Sequence, residues 1–187
     1  MKILTIGSGR DWKKYDDIYA PTSELMHVDA MYKYETSEGS SHMIGEDIIQ
    51  YLENNNSLSY NIIHGQRIFE HIAVDKLQYL LYLLYCSAAP DATLHITVPD
   101  FEKVLETLKS LDPFSQTAIQ FNKQLIQVST ELFNEPNDPH KSPWTKKLAK
   151  YYVELEDYWK VTSIKEVSLD GRDWYMQINA VKQNHNC

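Results

Sequence analysis

The stretch Ile3-Leu4-Thr5-Ile6-Gly7-Ser8-Gly9 decides the fold of this chain. Its first four residues form a short, apolar and partly β-branched run, which is typical of a strand buried inside a sheet. The glycines that follow allow a tight turn and a close approach of the backbone to a ligand, because glycine has no Cβ and tolerates positive φ. A helix that starts after such a loop favours negative charge on the ligand. We therefore predict that the chain opens with the first strand and the ligand-binding loop of an α/β domain.

Beyond this loop, short strands alternate with helices. The predicted strands are Leu25–Val28, Ser41–Ile44, Tyr60–His64 and Thr93–Val98, with a turn at Ala88–Asp91 before the last of them. The predicted helices are one capped by Asp47 that carries Ile48, Ile49 and Leu52, a second at Val74–Cys86, and a third that begins at Pro99-Asp100 and carries Phe101, Val104, Leu105 and Leu108. This alternation is typical of right-handed βαβ units around a mainly parallel sheet covered on both faces.

The sequence of the last third of the chain predicts that the sheet is completed by an antiparallel hairpin. After a polar loop, a helix and two strands joined by a hairpin turn are expected. In order, these elements are the loop Asn134–Pro143, the helix Trp144–Glu154, and the strands Trp159–Val167 and Trp174–Val181 joined by Asp170-Gly171. We predict one three-layer α/β domain over residues 1–182 and a frayed tail over residues 183–187.

The composition excludes several classes of protein. The chain has 187 residues, 43% hydrophobic and 24% charged, and a net charge of -8 from 18 basic and 26 acidic residues. An acidic chain is a poor match for nucleic acid or an anionic membrane, so a small-molecule ligand is expected instead. Only Cys86 and Cys187 are present, too few for a disulfide framework. Without a leader pattern or a bilayer-spanning apolar run, we expect a cytoplasmic protein.

The acidic residue Asp29 narrows the class of ligand that the first loop is expected to bind. It ends the second predicted strand, where a carboxylate can accept both hydroxyls of a ribose. A dinucleotide fingerprint needs a third glycine three residues after Gly9, and Trp12 occupies that position, so NAD and FAD are disfavoured. Two simpler interpretations stay open, because Gly-x-Gly also forms plain turns and an Asp also caps helices.

Five segments of the chain carry a family resemblance. They are the Ile3–Gly9 loop, His27-Val28-Asp29, Gly45-Glu46-Asp47, the Tyr60–His64 strand with Ile68-Phe69-Glu70-His71-Ile72 behind it, and the Ala88–Phe101 stretch with its Val98-Pro99-Asp100 exit. In order and spacing they resemble the class I S-adenosylmethionine-dependent methyltransferases, from Lys2 to about Leu108. The resemblance implies a Rossmann-like three-layer sandwich, S-adenosylmethionine as cofactor and S-adenosylhomocysteine as product.

The resemblance also implies the residues that hold the donor, and two departures refine it. The implied donor-binding residues are Gly7, Ser8, Gly9, Asp29, Asp47 and Glu70. Where the family carries a small residue close behind the second glycine, this chain has Arg10-Asp11-Trp12. Where methyltransferases acting on exocyclic amines carry an Asn/Asp-Pro-Pro-aromatic tetrad, it has His64-Gly65-Gln66-Arg67. An amine of that kind is therefore a disfavoured acceptor.

Four other side chains are candidates for catalysis and for acceptor binding. His71 is the candidate general base, since imidazole titrates near neutral pH, although a histidine at a helix start also serves simple packing. Arg67 could hold an anionic acceptor or pair with a surface carboxylate. His140 and Trp144 could cover the acceptor, or Trp144 could be a packing anchor. The histidines lack paired metal-ligand spacing, so no metal is predicted.

These observations favour one function and leave a second open. The first is a methyltransferase that moves the donor's methyl group to a small-molecule or sugar-like acceptor, most simply a hydroxyl. The alternative is a non-catalytic binding or assembly protein that retains the fold. Tyrosine is frequent, with 13 residues. Tyr79, Tyr82 and Tyr85 on one helix and Tyr151-Tyr152 on another form a possible surface for a protein partner, or simply flank the core.

Overall fold

The computed structural model describes residues 1–7, 15, 18–19, 23–30, 36–38, 41–55, 58–112, 141–169 and 171–184. The strands are β1 (Lys2–Ile6), β2 (Glu24–Val28), β3 (Thr36–Glu38), β4 (Ser41–Ile44), β5 (Tyr60–Gln66), β6 (Ala88–Pro99), β7 (Trp159–Leu169) and β8 (Arg172–Lys182). The helices are α1 (Ile48–Asn54), α2 (Val74–Cys86), α3 (Phe101–Ser110) and α4 (Lys146–Glu154), with a 3₁₀ turn at Phe69–His71.

All eight strands belong to one sheet in the order β3-β4-β2-β1-β5-β6-β8-β7. The central strands β4, β2, β1, β5 and β6 run parallel to one another, and β3 pairs antiparallel with β4. The C-terminal hairpin adds β8 antiparallel to β6 and leaves β7 at the edge. These pairings confirm the predicted α/β fold with a mainly parallel sheet and an antiparallel C-terminal hairpin.

One face of the sheet carries the main core. Apolar side chains of alternate strand positions, such as Leu4, Ile63 and Leu94, are fully buried there against the helices. The helical side chains come from α1, α2 and α4, whose predicted apolar stripes point at the sheet. In this layer Trp159 also donates its indole N–H to the Leu81 carbonyl, at 3.1 Å, and so ties the hairpin to α2. Burial of this face is the main source of stability.

The opposite face has a smaller apolar cluster and a helical turn of its own. Ile3 and Leu25 are buried there beneath the ring of Tyr15, with Tyr19 and Ile62 packed against them. The Tyr19 N–H donates to the Tyr15 carbonyl at 3.0 Å, the spacing of one helical turn. The chain that follows β1 therefore returns onto this face of the sheet.

One sequence prediction of secondary structure is wrong, and one strand was missed. The turn expected at Ala88–Asp91 is instead the start of β6, where Ala88 pairs with Tyr60. The pairing of β5 with β6 is irregular between Tyr60 and Ile62, and Asp91 within β6 has a positive φ of 59°. The short edge strand β3 was not predicted, because Thr36–Glu38 has no apolar alternation and forms only by pairing with β4.

The remaining predicted helices and strands agree with the structure to within a few residues, whereas most of the predicted loop Asn134–Pro143 lies outside the described residues. The helix Val74–Cys86 has the predicted bounds, and the predicted strand Tyr60–His64 continues to Gln66. Asp47 caps α1 as expected and accepts from the N–H groups of Ile49 and Gln50, at 2.9 and 3.3 Å. Within the described residues, no helix combines the length and apolar character that a bilayer crossing requires.

Candidate functional site

The sheet has a switch point between β1 and β5. From β1 the chain proceeds outward through β2 and β4, whereas from β5 it proceeds in the other direction through β6. In open α/β sheets, ligands bind outside the carboxyl ends of the strands at such a point. The residues that leave these strands are Gly7 after β1, Asp29 after β2 and Arg67 after β5. The geometry of this edge therefore defines the candidate site.

Gly7 joins three strands at this edge. Its φ is +68°, in the left-handed region that favours glycine, and its N–H donates to the Val28 carbonyl at 3.1 Å. A Cβ at this position would stand 2.8 Å from the Ile68 Cβ and 2.9 Å from the Gln66 carbonyl oxygen. Only glycine therefore allows the end of β1 to meet both the end of β2 and the chain that follows β5.

Asp29 lies beside this glycine turn. It directly follows Val28, and its own N–H donates to the Ile44 carbonyl at the end of β4, at 3.0 Å. Although it is charged, its side chain is only 8% exposed. A shielded carboxylate can accept two hydrogen bonds in parallel, which matches a pair of neighbouring hydroxyls. The site thus offers the acceptor chemistry that a ribose requires.

The end of β5 is strained at Arg67. Its φ is +54°, which is uncommon for a residue that is not glycine, and its N–H donates to the Thr97 carbonyl of β6 at 2.9 Å. Strained backbone of this kind is concentrated at functional sites, where surrounding structure maintains it. Arg67 is half-buried and directly follows Gln66, whose carbonyl borders Gly7.

The 3₁₀ turn at Phe69–His71 is held by a distant segment. The carbonyl of Glu70 accepts from the N–H groups of Lys141 and Ser142, at 2.7 and 3.1 Å. The Ser142 hydroxyl donates to the Phe69 carbonyl at 3.2 Å. Glu70 is 3% exposed, whereas His71 is half-buried at the end of the turn. Sequence analysis did not find Ser142, since no local pattern links it to a turn so far away in the chain.

Trp144 belongs to the core and not to the surface. It is 1% exposed, and its ring packs edge-on against Phe69 and Tyr152. Its indole N–H donates to the Ser142 hydroxyl at 3.1 Å. This arrangement leaves no free ring face for an acceptor, so the structure corrects the suggested covering role of Trp144 in favour of the packing alternative.

Of the other predicted site residues, only Asp47 lies within the described part of the chain. Asp47 is exposed and its carboxylate is engaged in capping α1. Ser8, Gly9 and His140, together with Arg10-Asp11-Trp12, lie outside the described residues. The described edge therefore brings together Gly7, Asp29 and Arg67, with the turn that contains Glu70 and His71 directly behind Ile68.

A row of polar side chains crosses the sheet just inside this edge. The register aligns Thr5 with His27 and His64, His64 with His95, and His95 with Asn179. Thr5 Oγ1 lies 2.5 Å from His27 Nδ1, and His95 Nδ1 lies 2.6 Å from Asn179 Oδ1. His64 and His95 stack with ring centroids 4.8 Å apart. Sequence analysis missed the row, which depends on strand register alone.

Within this row, His64 is held neutral. Burial, and then the neighbouring His95, lower the pKa of His64 to about 3. Burial also raises the pKa of Tyr19, whose hydroxyl is hydrogen-bonded to His64 Nε2. The groups of three or more His, Cys, Asp or Glu residues that a metal ion requires do not occur in the described part of the chain.

The tyrosines expected at a partner surface divide into two sets. Tyr79, Tyr82 and Tyr151 are 44%, 40% and 56% exposed, whereas Tyr85 and Tyr152 are buried. In the core, Tyr85 packs edge-on against Trp159, and Tyr152 packs edge-on against Trp144. Part of the predicted surface is therefore core, and a protein partner stays a prediction for the three exposed rings.

Comparisons with known proteins identify the fold. No family model matches the sequence, and no curated protein matches it. Among solved structures, a protein of Listeria monocytogenes assigned to the S-adenosylmethionine-dependent methyltransferases matches with a TM-score of 0.66 and 14% identity, over 98% of this chain and 91% of that one. A SAM-dependent methyltransferase from Archaeoglobus fulgidus matches with a TM-score of 0.62 and 18% identity, over 97% and 86% of the two chains.

A third match was solved with ligands. It is the 1,6-didemethyltoxoflavin-N1-methyltransferase of Burkholderia thailandensis with bound 1,6-didemethyltoxoflavin and S-adenosylhomocysteine, at a TM-score of 0.64 and 11% identity, over 98% of this chain and 71% of that one. At these identities the likeness establishes the arrangement of the chain, while function depends on the site itself. The protein therefore has the fold of the class I S-adenosylmethionine-dependent methyltransferases.

Proposed function

We propose that the protein binds S-adenosylmethionine at the carboxyl ends of β1 and β2 and transfers its methyl group to a small-molecule acceptor. The observation that carries this proposal is the shielded carboxylate of Asp29 beside the left-handed turn at Gly7, at the switch point of a sheet with this fold. The two oxygens of the Asp29 carboxylate can accept hydrogen bonds from the two neighbouring hydroxyls of a ribose.

The edge residues fit such a donor by their chemistry. Asp29 would accept the ribose hydroxyls, and Gly7 would keep the chain beside them close to the sheet. We include Ser8, Gly9, Asp47 and Glu70 in the proposed donor set on the strength of the sequence resemblance. When bound, the donor supplies an activated methyl group on a sulfonium ion. The protein then has to orient the acceptor and accept its proton.

A hydroxyl on a small or sugar-like molecule is the acceptor that we propose. His71 would take the hydroxyl proton, since it is half-buried at the end of the turn behind Ile68 and imidazole accepts protons near neutral pH. Arg67 would hold an anionic group of the acceptor, and its strained backbone at the end of β5 supports a functional role. His140 is retained as a candidate from the sequence alone.

Titration calorimetry with S-adenosylmethionine and S-adenosylhomocysteine tests the proposal. We expect both to bind, and we expect Asp29→Asn to weaken binding by roughly 10- to 100-fold, because a charged acceptor of two hydrogen bonds is lost. The matched control is Asp75→Asn, an exposed acid in the first turn of α2, which should bind as the wild type does. Failure of both compounds to bind would overturn the proposal, and binding of NAD or NADP in their place would indicate an oxidoreductase.

A further inference from the structure

Two tyrosines on one helical turn hold two side chains of β5. The Tyr15 hydroxyl donates to Gln66 Oε1 at 2.6 Å, and the Tyr19 hydroxyl is hydrogen-bonded to His64 Nε2. The ring of Tyr15 also lies 5.5 Å from the ring of His64, at the same centroid distance as that of Tyr19. We call these four residues, Tyr15, Tyr19, His64 and Gln66, the tyrosine clamp.

The clamp depends on a match between helix and strand spacing. Four residues of a helix advance about 6 Å, and two residues of a strand advance about 6.6 Å. Tyr15 and Tyr19 are four apart and joined by a backbone hydrogen bond of 3.0 Å. His64 and Gln66 are two apart on β5, so both contact the tyrosine turn from the same face of the sheet. Two parallel contacts of this kind fix the turn in both position and orientation.

The clamp contact at His64 suits a neutral ring in either tautomer. With its proton on Nδ1 the ring accepts the Tyr19 hydroxyl at Nε2, and with its proton on Nε2 it donates to the Tyr19 oxygen. In the described residues, the titratable groups that face His64 are His95 on β6 and the two tyrosines of the turn. The stacked His95 disfavours a positive charge on His64, and Thr5, which faces it from β1, is uncharged. The surroundings therefore favour a neutral His64 ring.

The clamp also sets where the chain after β1 is held. The chain leaves β1 at Gly7, whose close contacts with Ile68 and Gln66 leave no space for a side chain. It is held again at Tyr15, by the same Gln66 that borders Gly7. The two ends of this connection are thus both fixed to the end of β5. In the proposed function, the connection between them contains the donor loop.

We propose that Tyr15 and Tyr19 are positioning residues for the donor, because their hydroxyls hold the chain that follows β1 against His64 and Gln66. This inference rests on the proposed function for its ligand. It assigns the two tyrosines no contact with the donor and no part in the methyl transfer. Loss of either hydroxyl should weaken donor binding while the ring continues to fill its place in the small apolar cluster.

Calorimetric titration of S-adenosylhomocysteine into Tyr19→Phe and Tyr15→Phe tests the positioning role. We expect each variant to bind about 5- to 10-fold more weakly than the wild type, as the loss of one net hydrogen bond predicts. The matched control is Tyr79→Phe, which removes an exposed hydroxyl that donates to Glu53 at 2.8 Å. It should bind as the wild type does. Circular dichroism melting establishes that all variants are folded at the titration temperature.

The ¹⁵N resonances of the His64 imidazole give a second readout that needs no donor. We expect a neutral ring in the wild type at pH 6, and a shifted Nε2 signal in Tyr19→Phe. An Nε2 signal that is the same in the wild type and in Tyr19→Phe would overturn the clamp itself. If the wild type binds S-adenosylhomocysteine and both phenylalanine variants bind it equally well, the positioning role is wrong. If the wild type does not bind, the proposed function fails while the resonances still decide the clamp.

Discussion

The two faces of the sheet use the same strands for different purposes. On one face, alternate positions such as Leu4, Ile63 and Leu94 are fully buried against α1, α2 and α4. On the other, the neighbouring positions Thr5 and His64 belong to a polar row. Apolar burial is non-directional and stabilises any close-packed arrangement, whereas hydrogen-bonded polar groups require specific partners. The comparison indicates that one face supplies stability and the other supplies position.

The largest effect is expected on the apolar face. Leu94→Ala removes a fully buried side chain of β6, and we expect the free energy of unfolding to fall by about 3 to 4 kcal/mol through lost burial and a residual cavity. Chemical denaturation measures this change. Val74→Ala, at a position 45% exposed on α2, is the control and should cost under about 1 kcal/mol. Equal losses for the two variants would contradict the assignment of stability to this face.

A smaller effect on stability is expected at Gly7, at the carboxyl edge of the sheet. Gly7→Ala adds a Cβ at a positive φ and 2.8 Å from the Ile68 Cβ, so we expect it to destabilise the fold by about 2 to 3 kcal/mol. The control is Gly171→Ala, which has a similar φ of +71° and no atom within 4 Å of the added Cβ. It should cost only about 1 kcal/mol. The difference between their denaturation midpoints isolates the close contact at the site.

The most gradual effect is expected from the polar face, where the free energy of unfolding should depend on pH. The pKa of His64 is lowered from 6.5 to about 3 in the folded state, so the unfolded chain binds more protons in that range. The contribution of His64 to stability is therefore complete above about pH 6.5 and declines as the pH falls towards 3, by at most about 1.4 kcal/mol per pH unit. Denaturation of the wild type and His64→Gln across pH 4 to 8 measures it. Parallel profiles for the two proteins would show that His64 is not held neutral.

Much of the fold could be predicted because the evidence for it is local. The apolar run Ile3–Ile6 predicts a strand by its β-branched content, and the leucine spacing of Val74–Cys86 predicts a helix with those bounds. Asp47 identifies the start of α1, because a helix N-terminus leaves N–H groups that need an acceptor. Each of these signals lies within one turn or a few residues of the element that it predicts.

The site was predicted in part for the same reason. Gly7 and Asp29 are recognisable because they end strands, and the structure brings them to one edge beside Arg67. Ser142, the buried position of Trp144 and the tyrosine clamp were not recognisable, because each depends on a partner far away in the chain. A side chain in a strand shows its direction by alternation, but its neighbours are set by which strands pair and in what register.

The sequence by itself therefore determined which segments become most of the strands and helices, and which residues end the strands at the carboxyl edge of the sheet. Only the tertiary structure decided that β8 lies inside β7, that Ala88–Asp91 extends β6, and that His27, Thr5, His64 and His95 form one row. The physical reason is the separation along the chain over which each interaction acts. Backbone preference and apolar periodicity act between residues close in sequence, whereas strand order, register and buried hydrogen bonds join residues that only the folded chain brings together.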